Sequence, residues 1–474
     1  MTGITAVGAY APRFRITSEA FTEAWGQFQA AGIAEKAVPA ADEDALTMAY
    51  EAATRALEAA DCTGKDISWL GFATSNPPLA EEDLTARLGA LLALPADSTR
   101  HVFTGSTRAG TRALWAGMDA VDAGSKRGLI VAADAPRGEP DDAIDQAAGA
   151  GAAAFVLETD GEATIVDRAE YAAAYPGTRF RETGSETTDG LGITQYDRQA
   201  FAETIGGAVD GLERDPEPDA AAIQAPDGKL PYRVAGPAGV STDEIQAVAT
   251  VHDLGDLGAA SVPVSLARAL ADGHESVLAV SHGSGAGADA FVLDSSGPIP
   301  AAVDLEGGDT LSYAEYLRQR GVVTSGQPAG GGAYVSVPTW QRSLPQRYRL
   351  EAGRCPDCGS LSFPPGGACD DCGSLAEPTP VELAGTGTIE AVTTISQGGA
   401  PPEFAEQQAQ SGDYAAAIVA LESDTGDTVS VPAMGTDAEP SVFSVGDRVE
   451  TTIRRIYTQE GVTRYGFKIR PAAE

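Results

Sequence analysis

A duplicated α/β unit followed by a zinc ribbon and a small all-β barrel is the fold class that this 474-residue sequence predicts, on three observations. A nine-residue string occurs twice in the first three hundred residues, two C-x₂-C pairs are separated by ten residues, and short alternating apolar runs fill roughly the last hundred.

The repeat comes first. Gly149 to Leu157 reads GAGAAAFVL and Gly285 to Leu293 reads GAGADAFVL, and eight of the nine positions match. Each copy follows a strand-like run, RGLIVAADA at Arg127–Ala135 and ESVLAVSHG at Glu275–Gly283. Glycines that permit a tight turn, then a small-residue strand that lets a neighbouring backbone approach, give the string a structural reason to recur. Chance similarity of Gly/Ala strings is the competing reading. Helical periodicity fits Asp44–Ala60, where Leu46, Ala49, Tyr50, Ala53 and Leu57 share a face, and again Ala109–Ala123 and Tyr196–Leu212. Strand-like runs flank these helices, so β and α alternate as in a sandwich of sheet and helices. The unit spans 1–321, in two halves of about 1–165 and 166–321. Gly-, Pro- and Ser-rich stretches between Ser295 and Pro345 surround one short helix near Tyr313–Gly321, and 322–343 reads as a linker.

CPDC at Cys355–Cys358 and CDDC at Cys369–Cys372 place four thiolates at a spacing that closes a tetrahedral shell around Zn²⁺. Gly359 and Gly373 follow each pair and suit the tight knuckle turn. A redox dithiol needs one pair, and two pairs in one short segment exceed that chemistry. Cys355, Cys358, Cys369 and Cys372 are therefore expected to bind a structural zinc within a ribbon over 344–378. Four protein ligands leave no position for water. Beyond it, runs such as GTGTIEAVTTI and GDRVETTIRRIYTQEGVTRYGFKIR predict a barrel or sandwich of OB type over 379–474. Cys62 stands apart and reads as a small, partly buried residue.

Charge narrows the function. The chain carries 32 basic and 68 acidic residues, a net charge of −36, and its lysines are five: Lys36, Lys65, Lys126, Lys229 and Lys468. Self-repulsion of this size loosens a compact state in dilute buffer, whereas molar salt shortens the Debye length to about 3 Å. A halophilic protein is the expectation, with a merely acidic one as the alternative. Nucleic acid is not an expected partner: Gln346–Glu474 alone has 9 basic and 19 acidic residues. No apolar run approaches the roughly 18 residues of a membrane span, and MTGITAVGAYAPRFRI has neither a long apolar core nor a cleavage-like site. A cytoplasmic location without a membrane partner is expected.

Two resemblances sharpen this reading. QRYRLEAGRCPDCGSLSFPPGGACDDCGS, then ELAGTGTIEAVTTI and YGFKIRP, resemble the zinc-ribbon/OB family that accompanies thiolases, over Leu344–Pro471. VGAYAPRFRI, STRAGTRAL (Ser106–Leu114), APDGKLP (Ala225–Pro231), SHGSGAGADAF (Ser281–Phe291) and YLRQRG (Tyr316–Gly321) resemble archaeal hydroxymethylglutaryl-CoA synthase, over Gly3–Gly321. The second resemblance implies a thiolase fold of five layers built from two similar halves. It also implies a site with a cysteine nucleophile, a histidine, a glutamate acid/base and an asparagine at the thioester oxygen.

This sequence departs from the family at each of those positions. The nucleophile position falls on Thr107, preceded by Ser106; the histidine position on Gln224; the glutamate position near Ser75 or Asn76; and the asparagine position on Asp256. His282 stands in the glycine-rich loop, where the family has tyrosine. A hydroxyl without a positioned base is a poor nucleophile.

The resemblance therefore implies a CoA thioester as ligand and a degenerate site, a pseudoenzyme of lipid metabolism. Such a chain would act as subunit or scaffold, as a homodimer or as a heteromer with an active thiolase paralogue. An acyltransferase using Ser106 or Thr107, with His282 or His252 as base, is the alternative.

Overall fold

The computed structural model describes residues 2–214, 216–323, 336–396 and 400–472. They form two compact units. The first comprises Met1–Pro39 and Asp44–Tyr316, the second Ala40–Glu43 and Leu317–Glu474.

In the first unit, capping sets where a main helix begins. Asp44 accepts from the N–H groups of Leu46 (2.9 Å) and Thr47 (3.1 Å), and the Thr47 hydroxyl oxygen accepts from the Asp44 N–H (2.9 Å). This reciprocal box starts α1, Ala45–Ala59, in the segment whose periodicity predicts a helix. The other two predicted helices are α2, Ala109–Asp122, and α4, Thr194–Val209; α3 is the short Ala143–Ala147 and α5 is Ser261–Ala271.

The strands are β1 (Thr2–Tyr10), β2 (Trp69–Ala73), β3 (Thr99–Phe103), β4 (Gly128–Asp134), β5 (Gly151–Thr159), β6 (Ala163–Tyr171), β7 (Ala220–Ile223), β8 (Ser276–Gly283), β9 (Gly287–Ser295) and β10 (Ala301–Asp304). They form one sheet in the order β3-β2-β4-β5-β1-β6-β9-β8-β7, with β10 pairing β1. The order is a duplication. β2 runs parallel to β4, β4 antiparallel to β5 and β5 antiparallel to β1. In the same way β7 runs parallel to β8, β8 antiparallel to β9 and β9 antiparallel to β6. The repeated string enters equivalent strands, β5 and β9, and the halves meet where Ile4 of β1 faces Ala163 of β6.

Helices α2 and α5 pack on each other and on strands of both halves. Nine of the eleven residues of α5 are buried, as a helix packed between the two halves of the sheet requires. α1 covers the outer face of the first half and α4 that of the second, which gives the five layers that the resemblance implies. The second half shows why its strands read as continuous apolar runs. Val277, Ala279, Phe291 and Leu293 face the central layer, while Leu278, Val280, Ala290 and Val292 pack with Phe201 and Ile205 of α4. Close packing in the central layer demands Gly110 of the STRAGTRAL string: a Cβ there would lie 2.3 Å from the Ala259 carbonyl oxygen.

The second unit contains helices Val337–Arg342 and Leu344–Arg349. Of the linker expected over 322–343, residues 324–335 lie outside the described residues, and 337–342 are helical: Ser336 caps the Thr339 N–H and Pro338 occupies the first turn. The strands are β11 (Glu351–Arg354), β12 (Leu361–Ser362), β13 (Thr379–Ile395), β14 (Tyr414–Ser423), β15 (Thr428–Met434), β16 (Arg448–Gln459) and β17 (Val462–Pro471). β13, β14 and β15 form an antiparallel meander, β16 pairs with both β13 and β17, and a bridge between Gly435 and Ile469 closes the ring. Its interior holds Leu383, Ile389, Val419, Leu421, Val431, Val449 and Ile469, a small β domain with its own core.

Charge is also buried in this unit. Asp42 accepts from Lys468 Nζ at 2.8 Å and from the Thr436 hydroxyl at 3.0 Å, and Arg454 donates to Asp437 at 2.7 Å. The Lys468 and Arg454 side chains are fully buried.

Candidate functional site

The cysteine quartet is built from two equivalent knuckles. In the first, Gly359 N–H donates to the Cys355 carbonyl (2.9 Å) and Cys355 N–H to the Ser360 carbonyl (2.9 Å); in the second, Gly373 N–H donates to Cys369 (2.8 Å) and Cys369 N–H to Ser374 (2.8 Å). Gly359 and Gly373 have φ of +81° and +70°, the left-handed turn anticipated for them. The four Sγ atoms lie within 4.8 Å of one another, with Cys355 to Cys372 at 3.7 Å and Cys358 to Cys369 at 3.5 Å. Tetrahedral zinc with Zn–S bonds of about 2.3 Å needs sulfurs about 3.8 Å apart, so this donor set fits Zn²⁺.

A second site lies in the first unit, past the carboxyl ends of parallel strands, where open α/β sheets gather their ligands. The chain leaves β3 and turns into α2 at Thr107, leaves β7 into Gln224, and carries His282 near the end of β8; Asp256 precedes the turn Gly258–Ala260 that leads into α5. Thr107, Gln224, Asp256 and His282 line one cavity of about 210 Å³ with Arg179, Asp197, Phe201 and Ala147. Part of its rim is the APDGKLP string. Asp227 accepts from the N–H groups of Lys229 (2.6 Å) and Leu230 (2.7 Å), and a Cβ on Gly228 would meet the Gly32 carbonyl oxygen at 2.3 Å.

Hydrogen bonding decides what each side chain offers. The Thr107 hydroxyl donates to the backbone carbonyl of His282 at 2.6 Å. Gln224 Nε2 donates to the Gly258 carbonyl at 2.9 Å. A carbonyl can only accept, so the Gln224 amide is fixed with Oε1 turned away, and this buried oxygen has no partner. Asp256 accepts from Arg179 Nη1 (2.6 Å) and from the Gly258 N–H (2.9 Å), while Arg179 Nη2 is buried and unpaired.

His282 has a fixed tautomer. Thr204 spends its single hydroxyl proton on the Ala200 carbonyl (2.7 Å), so it accepts from His282 Nδ1–H (2.9 Å) and Nε2 keeps its lone pair. Burial, with Arg108 and Arg179 nearby, lowers this imidazole to about 4, so it is neutral at pH 7.

Other candidate residues stand elsewhere. Ser106 does not line the cavity; its Oγ accepts from the Arg108 N–H at 3.3 Å. Ser75 and Asn76 serve the buried Asp134: the Ser75 hydroxyl donates to it at 2.6 Å, and the Asn76 N–H at 3.1 Å. His252 has both nitrogens engaged, Nδ1 with the Gly32 carbonyl (2.6 Å) and Nε2 with the Tyr232 hydroxyl (2.7 Å), which leaves it no free lone pair for a base. The His101 ring lies 5.6 Å from that of Trp69 in a tilted arrangement, and His274 lies 3.4 Å from Asp219. Arg179, Asp197 and Phe201 are the residues that sequence reasoning missed. The one available signal was Asp256, since a buried carboxylate requires a cation.

Residues 342–377 match the family of ChsH2 rubredoxin-like zinc ribbon domains. Hydroxymethylglutaryl-CoA synthase of Methanopyrus kandleri is 30% identical over 346 residues, which cover 69% of this chain and 96% of that enzyme. The Methanocaldococcus jannaschii enzyme is 30% identical over 345 residues, 68% of this chain and 99% of that one. Among solved structures, MvaS in complex with 3-hydroxy-3-methylglutaryl coenzyme A superposes with a TM-score of 0.58 at 19% identity, covering 71% of this chain and 94% of that one. The 3-oxoacyl-[acyl-carrier-protein] synthase III of Aquifex aeolicus superposes with a TM-score of 0.55 at 18% identity, covering 62% of this chain and all of that one. The duplicated five-layer fold is thus the thiolase fold, and near full-length similarity to its archaeal relatives places the chain in the hydroxymethylglutaryl-CoA synthase family.

Proposed function

We propose that the first unit binds an acyl-CoA thioester in the Thr107 cavity without forming an acyl-enzyme, and that the chain serves as subunit or scaffold for a competent thiolase. The observation that carries this reading is the polarity of the cavity. Thr107 stands where the resemblance puts a thiol, and its proton is committed to a carbonyl. Gln224 stands where the resemblance puts the proton-handling histidine, and an amide neither takes up nor releases a proton near neutral pH; Asp256 stands where it puts the asparagine at the thioester oxygen, and a carboxylate paired with Arg179 offers that oxygen no donor. Losing one oxyanion-hole donor costs an enzyme on the order of 10²–10³ in rate, and losing the thiol nucleophile and the proton-handling histidine as well removes the reaction.

A CoA thioester suits the site because relatives are named for one, and solved neighbours hold 3-hydroxy-3-methylglutaryl coenzyme A or CoA. Alanines 30, 143 and 147 with Phe201 and Leu230 give the cavity an apolar lining for a short acyl chain. The partner would be a second thiolase-fold chain, a copy of this one or an active paralogue, docking on β3. That strand is the edge of the sheet and offers a row of unpaired backbone groups among the described residues. The quartet holds a structural zinc, and the net charge of −36 suits a protein working in a salt-rich cytoplasm.

The test is calorimetric titration of the full chain with acetyl-CoA and acetoacetyl-CoA, beside an assay for hydroxymethylglutaryl-CoA. Binding without product is the expected result. Product formation overturns the non-catalytic reading, and absence of binding overturns the acyl-CoA reading.

A further inference from the structure

The polar atoms left unpaired in the cavity specify more than a thioester. Among the buried unpaired atoms of its described lining, Arg179 Nη2 is the donor; Ser284 adds a half-buried hydroxyl to the lining. Gln224 Oε1, on a side chain only 2% exposed, is a free acceptor; His282 Nε2 is a second and Asp197 Oδ1 a third. The donor and the first acceptor are coupled by an unbroken path. Arg179 binds Asp256 at 2.6 Å, Asp256 binds the Gly258 N–H at 2.9 Å, and the Gly258 carbonyl binds Gln224 at 2.9 Å. Each link fixes the next, so Nη2 and Oε1 are oriented before any ligand arrives.

A buried polar atom without a partner costs about 1–3 kcal/mol, and a ligand that supplies the partner recovers it. The complement of this cavity has an oxygen that accepts from Arg179 and a hydroxyl that donates to Gln224 or His282. Resting on the acyl-CoA reading above, we infer that the cavity selects 3-hydroxyacyl thioesters over 3-oxoacyl and unsubstituted acyl thioesters, with Arg179 holding the thioester carbonyl and Gln224 the hydroxyl. A 3-oxoacyl group brings a second acceptor to face Oε1 and Nε2, and an unsubstituted chain leaves both unpaired. The CoA portion is common to all three ligands, so its amide donors do not affect the comparison.

The experiment is equilibrium binding of 3-hydroxybutyryl-CoA, acetoacetyl-CoA and butyryl-CoA to the full chain. Wild type should bind the hydroxy ester at least about tenfold more tightly than the other two. Gln224→Leu should bring the three within about threefold of one another, with a far-ultraviolet circular dichroism spectrum like that of wild type reporting an intact fold. The double variant Arg179→Met with Asp256→Asn avoids stranding a buried carboxylate. It should weaken all three esters by about tenfold and keep the preference. Equal affinities in wild type, or a preference that survives Gln224→Leu, overturn the inference while leaving acyl-CoA binding in place. Unchanged affinities in the double variant overturn the role of Arg179. Failure of all three esters to bind overturns both the inference and the reading beneath it.

Discussion

The Thr107 hydroxyl donates to the backbone carbonyl oxygen of His282 at 2.6 Å and not to its imidazole, so the free lone pair on Nε2 and the available hydroxyl are not a nucleophile and its base. Incubation with acetyl-CoA should leave the intact mass unchanged. An acyl adduct on Thr107 or Ser106 would establish a hydroxyl-nucleophile acyltransferase instead. Thr107→Cys should not create a synthase, because Gln224 and Ser75 would still stand where the reaction needs proton-handling groups, and such groups act as a unit.

His282 supplies a pH prediction. Its folded value of about 4 lies below the ordinary value of about 6.5, so the unfolded chain binds more protons between those two values. Stability from this residue is complete above about pH 6.5 and falls toward pH 4, by up to about 3 kcal/mol. In nuclear magnetic resonance, the His282 ring should titrate near pH 4, and the Thr204→Val variant should keep it well below the ordinary range, because burial sets it. A ring titrating near 6.5 in the wild type would refute the neutral assignment.

Asp42 lies 426 residues before Lys468 and pairs with it at 2.8 Å within the second unit. Burial pushes the Asp42 carboxyl up, but Lys468 and Arg454 outweigh burial and hold it below the usual carboxylate range. Stability from the Asp42 carboxylate is present above about pH 4 and lost as pH falls through the depressed value, while burial lowers the Lys468 ammonium and so offsets part of it. Asp42→Ala leaves Lys468 buried and unpaired and should destabilise the second unit by about 3–5 kcal/mol. Urea unfolding indistinguishable from wild type would show that the pair contributes nothing.

Protein purified without added metal should contain about one zinc per chain, as measured by plasma emission. Structural zinc contributes about 10–16 kcal/mol of apparent binding free energy, so Cys358→Ser should unfold the ribbon and sharply lower zinc content. Metal-free protein with the ribbon intact would exclude the zinc.

Screening of a −36 net charge should raise the melting temperature steeply between dilute buffer and molar potassium chloride. A melting temperature insensitive to salt would refute salt adaptation.

Much of this molecule is legible in the chain because the signals are local or repeated. The Cys355–Cys372 segment carries its own ligands and turn glycines, the α1 box lies within Asp44–Thr47, and GAGAAAFVL with GAGADAFVL marks equivalent strands. Family likeness placed Thr107, Gln224, Asp256 and His282 in one site, and the structure brings them to one cavity. Only tertiary structure decided what those residues offer. Arg179 comes from an irregular stretch between β6 and α4, where no periodicity marks a position, to meet an Asp256 77 residues away. His252 and His282 are alike as letters, but the contacts of Tyr232 and Gly32 engage one fully while Thr204 leaves the other a lone pair. Sequence determines which groups are present and which neighbours along the chain they can reach. Donor or acceptor, charged or neutral, paired or free is settled by partners that folding brings from a distance, because a buried polar atom takes its role from whatever faces it.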